Sequence, residues 1–320
     1  MNKEITVLVT TFNKKDTIKD CINSLLNLNY EPRRVLIMDN GSTDGTYEIL
    51  KEYGDKIDLF QSPIVHSNLF NLAFDKTKTE LIAVTDADCV VAPNWLDELI
   101  KGFNEENVVA TAGYCGTPKN TSFLQKLIGM EMDNRFDNLP HRLYRAPTMN
   151  LCLKTDIARK VKFDEKQGVA IETDFGFRLS KYGKIIYTSK AKIWHYHRSS
   201  LKNYFSQQKN QAKWGPRLVF KHKRRAISDP ITSLGMTIQI PLLMAIIGFL
   251  VLSFFSQIFI YPTLFFFLFL FLIYLSNIIR INPPPLYYLV FPFFFLYRTI
   301  AWTTGVIEGS FLLLSDKSLR

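Results

Sequence analysis

Hydrophobic and polar positions change period along this chain. Residues 5–10 (ITVLVT) form a near-continuous β-branched run, the pattern of a strand buried on both faces. In residues 15–26 the apolar positions Ile18, Ile22, Leu25 and Leu26 recur at helical spacing on one face. Residues 35–39 (VLIMD) predict a second strand, followed by a turn-rich stretch at 40–45 and a helix over 46–53. A helix over 69–78 and a third strand over 81–85, ending at Asp86, complete the alternation. Strand, helix, strand, helix, strand predicts an α/β fold with a parallel, Rossmann-like sheet. Such sheets bind ligands outside the carboxyl ends of their strands, and here those ends carry Thr10, Thr11, Asp39, Asp86 and Asp88. The second half is less regular: helices over 96–103, 120–145, 155–164 and 172–182, and strands over 108–112 and 150–154.

Beyond residue 230 the alternation stops. Residues 236–258 and 263–279 contain no charged side chain and flank a break at Tyr261-Pro262. A helix rises about 1.5 Å per residue, so roughly 20 residues cross a hydrocarbon core of ~30 Å. Both stretches are predicted to be transmembrane helices. After Asn282–Pro285 (NPPP), residues 286–312 are a third candidate, spanning or interfacial, that contains Arg298 and Glu308. Ionisable residues at membrane depth face protein or water, or snorkel to the headgroups. Two regions are therefore expected, an α/β domain over 1–225 and a helical membrane region over 231–314.

Charge sharpens this division. The chain has 39 Lys+Arg against 29 Asp+Glu, yet only six charged residues lie after position 230. Residues 201–225 hold eight basic side chains and no acidic one. Such a segment just before a membrane span marks the cytoplasmic face and attracts anionic headgroups, which sets aside a nucleic-acid partner. Arg280 follows the second span, while the connector at 259–262 has no Lys or Arg. The positive-inside rule thus predicts a multi-pass protein of the cell membrane with its α/β domain in the cytoplasm. The amino terminus does not read as a signal peptide, and a wholly soluble or disordered protein is excluded. Cys21, Cys89, Cys115 and Cys152 lack any CxxC spacing and read as reduced thiols, not as a metal or disulfide set.

The strongest chemical signal is Thr85-Asp86-Ala87-Asp88 after a buried strand. Carboxylates at i and i+2 suit a hard cation, Mg²⁺ or Mn²⁺, held together with diphosphate oxygens; alone, the pattern also marks ordinary strand ends. Asp39-Asn40-Gly41-Ser42-Thr43-Asp44-Gly45-Thr46 reads as a tight turn with a capped helix, with Asp39 placed to accept a base N–H or a ribose hydroxyl.

Together, VLVTTFNKKDTIKDCINSLLN, VLIMDNGSTDGT and LIAVTDADCVVAPNWL resemble the inverting family 2 glycosyltransferases of the GT-A fold, in order and spacing. MNLCLKTDIARKVKFDE at 149–165 is similar to that family's acceptor-side strand and helix, and the resemblance covers about residues 4–215. It implies nucleotide contacts from Thr10, Thr11, Asp39, Asn71 and Asp86, and metal contacts from Asp86 and Asp88. Phe70 replaces the Arg of the family's Arg-Asn pair, so one donor-side cation is missing. Residues 171–179 (IETDFGFRL) match the frame of the catalytic base, with Ile171 for its first Glu and Glu172 where an Asp is usual. Glu172 is the expected base and Asp174 the reserve; otherwise both are solvated acids favoured in a helix's first turn. Residues 207–214 (QQKNQAKW) resemble the Gln/Arg-rich motif, ending in Arg-Trp, of processive polysaccharide synthases, with Lys213 in place of Arg. Gln208, Lys213 and Trp214 are thereby implied at the acceptor or the diphosphate, as is His195 of Trp194-His195-Tyr196-His197.

The expected protein is a membrane-bound inverting transferase that moves a sugar from a nucleotide diphosphate sugar, UDP- before GDP-linked, to a lipid-linked glycan or polysaccharide at the cytoplasmic membrane face. A polyprenyl-phosphate monosaccharide synthase and a processive polysaccharide synthase are the enzymatic alternatives. A nucleotide-binding membrane scaffold is the non-enzymatic one.

Overall fold

The computed structural model describes residues 4–316. In chain order the first elements are β1 (Ile5–Thr11), α1 (Ile18–Leu26), β2 (Arg33–Asp39), α2 (Thr46–Lys51), β3 (Asp58–Gln61), α3 (His66–Lys76), β4 (Leu81–Asp86), β5 (Cys89–Val91), α4 (Trp95–Lys101) and β6 (Val108–Gly116). Next come α5 (Phe123–Asp137), β7 (Arg142–Leu143), β8 (Asn150–Lys154), α6 (Thr155–Val161), α7 (Ile171–Leu179) and β9 (Lys184–His195). The remaining elements are the helices α8 (Leu201–Lys213), α9 (Gly215–His222), α10 (Arg224–Ile227), α11 (Leu234–Thr237), α12 (Gln239–Ser253), α13 (Ile260–Ile281) and α14 (Pro285–Ser315). The chain divides into two compact units: residues 1–121 with 135–197, and residues 122–134 with 198–320.

The first unit is a mixed sheet of order β3-β2-β1-β4-β8-β6-β9-β5, with β7 beside β9. Every residue of β1 is buried, which accounts for its unbroken apolar run. β3, β2, β1 and β4 are parallel, as the alternating pattern predicts. The expectation of a parallel sheet is broken by β8, which pairs antiparallel with both β4 and β6, although β6 and β9 are again parallel. Helix α1 buries Ile18, Ile22 and Leu25 of its predicted apolar stripe, together with Cys21, while Leu26 is half-buried.

A buried amide fastens the second half of this sheet. Asn150, 1% exposed, accepts from Trp95 Nε1 at 2.8 Å and donates through Nδ2 to the carbonyls of Tyr114 and Ala191, both at 2.9 Å. Gly113 makes room for it, since a Cβ there would lie 2.1 Å from the Ala191 carbonyl oxygen and 2.5 Å from Asn150 Nδ2.

The second unit is helical. Among the described residues, three helical stretches are long and apolar enough to cross a membrane: Leu234–Ser253, Gln257–Ile281 and Pro285–Ser315. The predicted break at Tyr261-Pro262 lies instead inside the first turn of α13, where proline's missing N–H leaves no bond unmade. Their shared core includes Leu242, Leu270, Tyr274, Phe291 and Phe295, joined by Leu127 and Ile128 of α5. Within it the Tyr274 hydroxyl donates to Thr299 Oγ1 at 2.7 Å, and Thr299 Oγ1 lies 3.0 Å from Gln239 Oε1. Arg298, 2% exposed, pairs with Glu131 and lies 4.2 Å from the Trp302 ring centroid. Its charge is met by protein, so snorkelling to the headgroups is not its role.

Candidate active site

Register builds the site. Thr11 of β1 stands opposite Asp39 of β2, and Thr10 stands opposite Asp86 of β4, so the polar strand ends meet at one sheet edge. β4 and β5 are joined through Ala87 and Asp88. β5 pairs antiparallel with β9, with Cys89 opposite His195, and this pairing carries His195 back beside the acidic turn. The Tyr196 amide donates to the Asp88 carbonyl at 2.9 Å, and the Thr17 hydroxyl donates to the Ala87 carbonyl at 3.0 Å.

Asp88 is 7% exposed and meets two basic side chains. Lys14 Nζ pairs with Oδ2, and His195 Nε2 lies 3.3 Å from Oδ1. Burial opposes ionisation of Asp88, but His195 and Lys14 together hold its carboxyl well below the usual range. Asp86 moves the other way: burial, then the neighbouring Asp88 charge, push it up to about 6. Glu172 adds to that rise, which places it within electrostatic reach of the pair.

Asp88, Cys89 and His195 bring their ligand atoms within 4.8 Å of one another. Burial, then the charges of Asp86 and Asp88, raise the Cys89 thiol well above its ordinary value, so it stays protonated and is a poor ligand. His195 Nδ1 is buried and has no hydrogen-bond partner among the described residues. The Asp88 carboxylate and an imidazole with an uncommitted nitrogen, next to the second acid of the same turn, Asp86, fit a divalent cation of the Mn²⁺ type.

Glu172 is partly exposed in the first turn of α7, just after Ala170, whose φ of +56° lies in the left-handed region. Burial raises its carboxyl above the ordinary value of 4.5, against the pull of its backbone hydrogen bond and of Arg145. Arg145 is 8% exposed and close to the helix, because a Cβ at Gly176 would fall 2.4 Å from its own Cβ.

Other predicted residues are committed elsewhere. Asp174 is 0% exposed and accepts from Arg178 Nε at 2.8 Å, while the same guanidinium donates to the Val161 and Lys162 carbonyls. It forms a buried ion pair and is not the solvated acid that was the alternative reading. Asn71, expected at the nucleotide, binds the backbone of Phe163, donating at 3.0 Å and accepting at 2.7 Å. Asp39 is fully buried; it accepts from the Gly41 and Ser42 amides, the Ser42 hydroxyl and Gln61 Nε2, and so shapes the turn. Thr10 Oγ1 is 3.1 Å from His66 Nε2, and the buried Thr11 hydroxyl has no partner among the described residues. Gln208, Lys213 and Trp214 belong to the second unit: Gln208 lies within α8, Lys213 is its last residue and Trp214 follows it. Lys14 and Arg145 were missed by sequence reasoning. Lys14 follows the Thr-Thr-Phe-Asn strand end, which was a usable signal; Arg145 lies in an irregular stretch that gave none.

Residues 6–181 match the family model "Glycosyl transferase family 2", and the chain belongs to that family. It is 23% identical over 272 residues to hyaluronan synthase of Streptococcus pyogenes, covering 76% of this chain and 64% of the relative. The chain thus spans just under two thirds of that protein's length. A mannosyltransferase from Pyrobaculum calidifontis, solved with GDP-Man and Mn²⁺, superposes with a TM-score of 0.60 at 15% identity, over 99% of this chain and 88% of that one. S. aureus TarS 1-349 in complex with UDP-GlcNAc superposes with a TM-score of 0.50 at 16% identity, over 65% of each chain. The fold is therefore GT-A-like, followed by long apolar helices.

Proposed function

We propose that this protein is a membrane-bound inverting glycosyltransferase that moves a sugar from a nucleotide diphosphate sugar to a hydroxyl of a lipid-linked glycan or polysaccharide. The observation that carries the reading is Glu172, a carboxylate with a raised proton affinity within electrostatic reach of Asp86, beside the cluster of Asp88, Cys89 and His195. Glu172 takes the proton of the acceptor hydroxyl as that oxygen attacks the anomeric carbon. The bond from that carbon to the diphosphate oxygen breaks, and its electron pair leaves with the nucleoside diphosphate. Asp86, Asp88 and His195 would hold the divalent ion, which neutralises charge on the leaving diphosphate. Lys14 adds a protein cation at the same place. Thr10, Thr11 and Asp39 frame the nucleotide end of the sheet, and Trp214 serves the acceptor side as the resemblance implies.

The three apolar stretches support a multi-pass protein, and the basic segment 201–225 supports a cytoplasmic catalytic domain. UDP-sugars are the first donors to try, with GDP-sugars second. The test is sugar transfer in membranes containing the protein, with radiolabelled nucleotide-sugars and Mn²⁺, followed by solvent partition. Label in the organic phase supports a lipid-linked acceptor. Likeness to hyaluronan synthase favours processive synthesis as the second reading, and high-molecular-weight aqueous label would support it. No transfer from any donor, beside an active control enzyme, would overturn both and leave a nucleotide-binding scaffold.

A further inference from the structure

Glu308 interrupts the apolar sequence of α14, and the reaction proposed above gives it no task. It reaches two lysines one turn apart on α8: Oε2 lies 2.9 Å from Lys209 Nζ and Oε1 lies 2.7 Å from Lys213 Nζ. On either side the two helices touch backbone to backbone. A Cβ at Gly305 would stand 2.2 Å from the Lys209 carbonyl oxygen, and one at Gly309 would stand 1.8 Å from that of Lys213. The Gly305-Val306-Ile307-Glu308-Gly309 spacing puts both glycines on the face that meets α8.

Other contacts advance in the same direction along both helices. Tyr204 stacks on Phe294 at 5.3 Å, Phe205 meets Tyr297 at 5.2 Å, and Trp302 Nε1 donates to Gln208 Oε1 at 2.9 Å. Sliding α8 by one turn, about 5.4 Å, would break every one of them. Close backbone packing supplies the attraction. The ion pairs are partly exposed and add little stability, but they are directional and select one register.

We propose that Glu308 is a positioning residue: it fixes the register of α8 on α14 and holds the Lys209 and Lys213 ammonium groups, so that the segment ending in Trp214 is presented in one orientation. The inference rests on the reading that α8 carries acceptor-side groups. It also departs from the resemblance, because Lys213 answers a carboxylate of its own chain and is not a cation reserved for the leaving diphosphate.

The test uses the full chain in membranes. A Phe205→Cys/Tyr297→Cys pair reports the register through disulfide yield, with and without Glu308→Gln, and transfer kinetics are read in the otherwise native chain. Glu308→Gln is expected to lower the cross-link yield several-fold and kcat roughly tenfold, with donor KM and inhibition by added UDP within about twofold. Glu308→Lys combined with Lys209→Glu and Lys213→Glu should recover most of both losses. An unchanged cross-link yield, or tighter UDP inhibition in Glu308→Gln, would overturn the proposal; the latter would mean that Glu308 masks a diphosphate site. If no donor is turned over by the native chain, the proposed reaction fails, while the cross-link still decides the role of Glu308.

Discussion

His195 Nε2 lies 3.3 Å from Asp88 Oδ1 although 107 positions separate them in sequence, because β9 returns antiparallel to β5 with His195 opposite Cys89. Nδ1 of the same ring has no hydrogen-bond partner among the described residues, which makes it a candidate ligand beside the acids of the turn. Replacing it removes one ring nitrogen and leaves the backbone pairing of β5 with β9 intact. His195→Ala is expected to weaken Mn²⁺ binding by roughly 10–100-fold, the range for losing a group that orients or completes a metal site. Titration of the purified protein followed by Mn²⁺ electron paramagnetic resonance would measure this. Unchanged binding would remove His195 from the ligand set.

Glu172 should govern the acid side of the pH–rate profile. Its carboxyl lies above 4.5 when folded and accepts a proton only when ionised, so turnover should fall as pH drops through a value higher than that. Glu172→Gln should lower kcat by about 10²–10⁴-fold, the usual contribution of a general base, and leave nucleotide binding in place. A kcat retained within a few-fold would point to an acceptor that arrives already ionised, such as a polyprenyl phosphate.

Asp174, two residues on, should behave differently. Its carboxylate is fully buried on Arg178, whose guanidinium also ties down the carbonyls that end α6. Asp174→Asn leaves a partly exposed guanidinium without its counter-charge, at a cost of roughly 3 kcal/mol. Denaturant unfolding should show this loss, with kcat per folded molecule nearly native. A stability close to native combined with lost turnover would reverse the roles of Asp174 and Glu172.

The first half of the α/β fold was legible because a strand buried on both faces advertises itself by composition. β1 and β4 read directly from ITVLVT and LIAVT, and their ends located the acidic turn. β9 was not read, because KIIYTSKAKIWH mixes buried and exposed positions and bends at a register shift beside Gly113 and Tyr114. Without β9, only the family resemblance put His195 near the diphosphate, and its pairing with Asp88 was not legible; the i, i+4 spacing of Asp174 and Arg178 was a usable signal for the ion pair that was not read. Motif spacing likewise proposed Asn71 and Asp39 for the nucleotide. The polar atoms on Phe163 and in the turn at Gly41 and Ser42 that occupy them appear only in three dimensions. For Arg298 and Glu308 the sequence supplied the anomaly of charge in an apolar run, and the structure supplied the partners.

Asn150 tests whether the second, mixed half of the sheet depends on one amide. Its side chain makes three hydrogen bonds, to Trp95 Nε1 and to the Tyr114 and Ala191 carbonyls, at a point where Gly113 leaves no room for a Cβ. Asn150→Leu would strand one buried donor and two buried acceptors, each costing about 1–3 kcal/mol when left without a partner. A loss of roughly 3 kcal/mol or more is expected in denaturant unfolding, comparable to the stability margin of many domains, so low yield of folded protein should accompany it. Gly113→Ala should be similarly damaging, because the new methyl group must displace either the Ala191 carbonyl or the Asn150 amide. Asn150→Asp provides the control: it keeps the acceptor for Trp95 but turns the donor facing two carbonyls into an acceptor, and should be at least as harmful as Asn150→Leu. An Asn150→Asp protein of native stability would show that the two carbonyls do not depend on this amide.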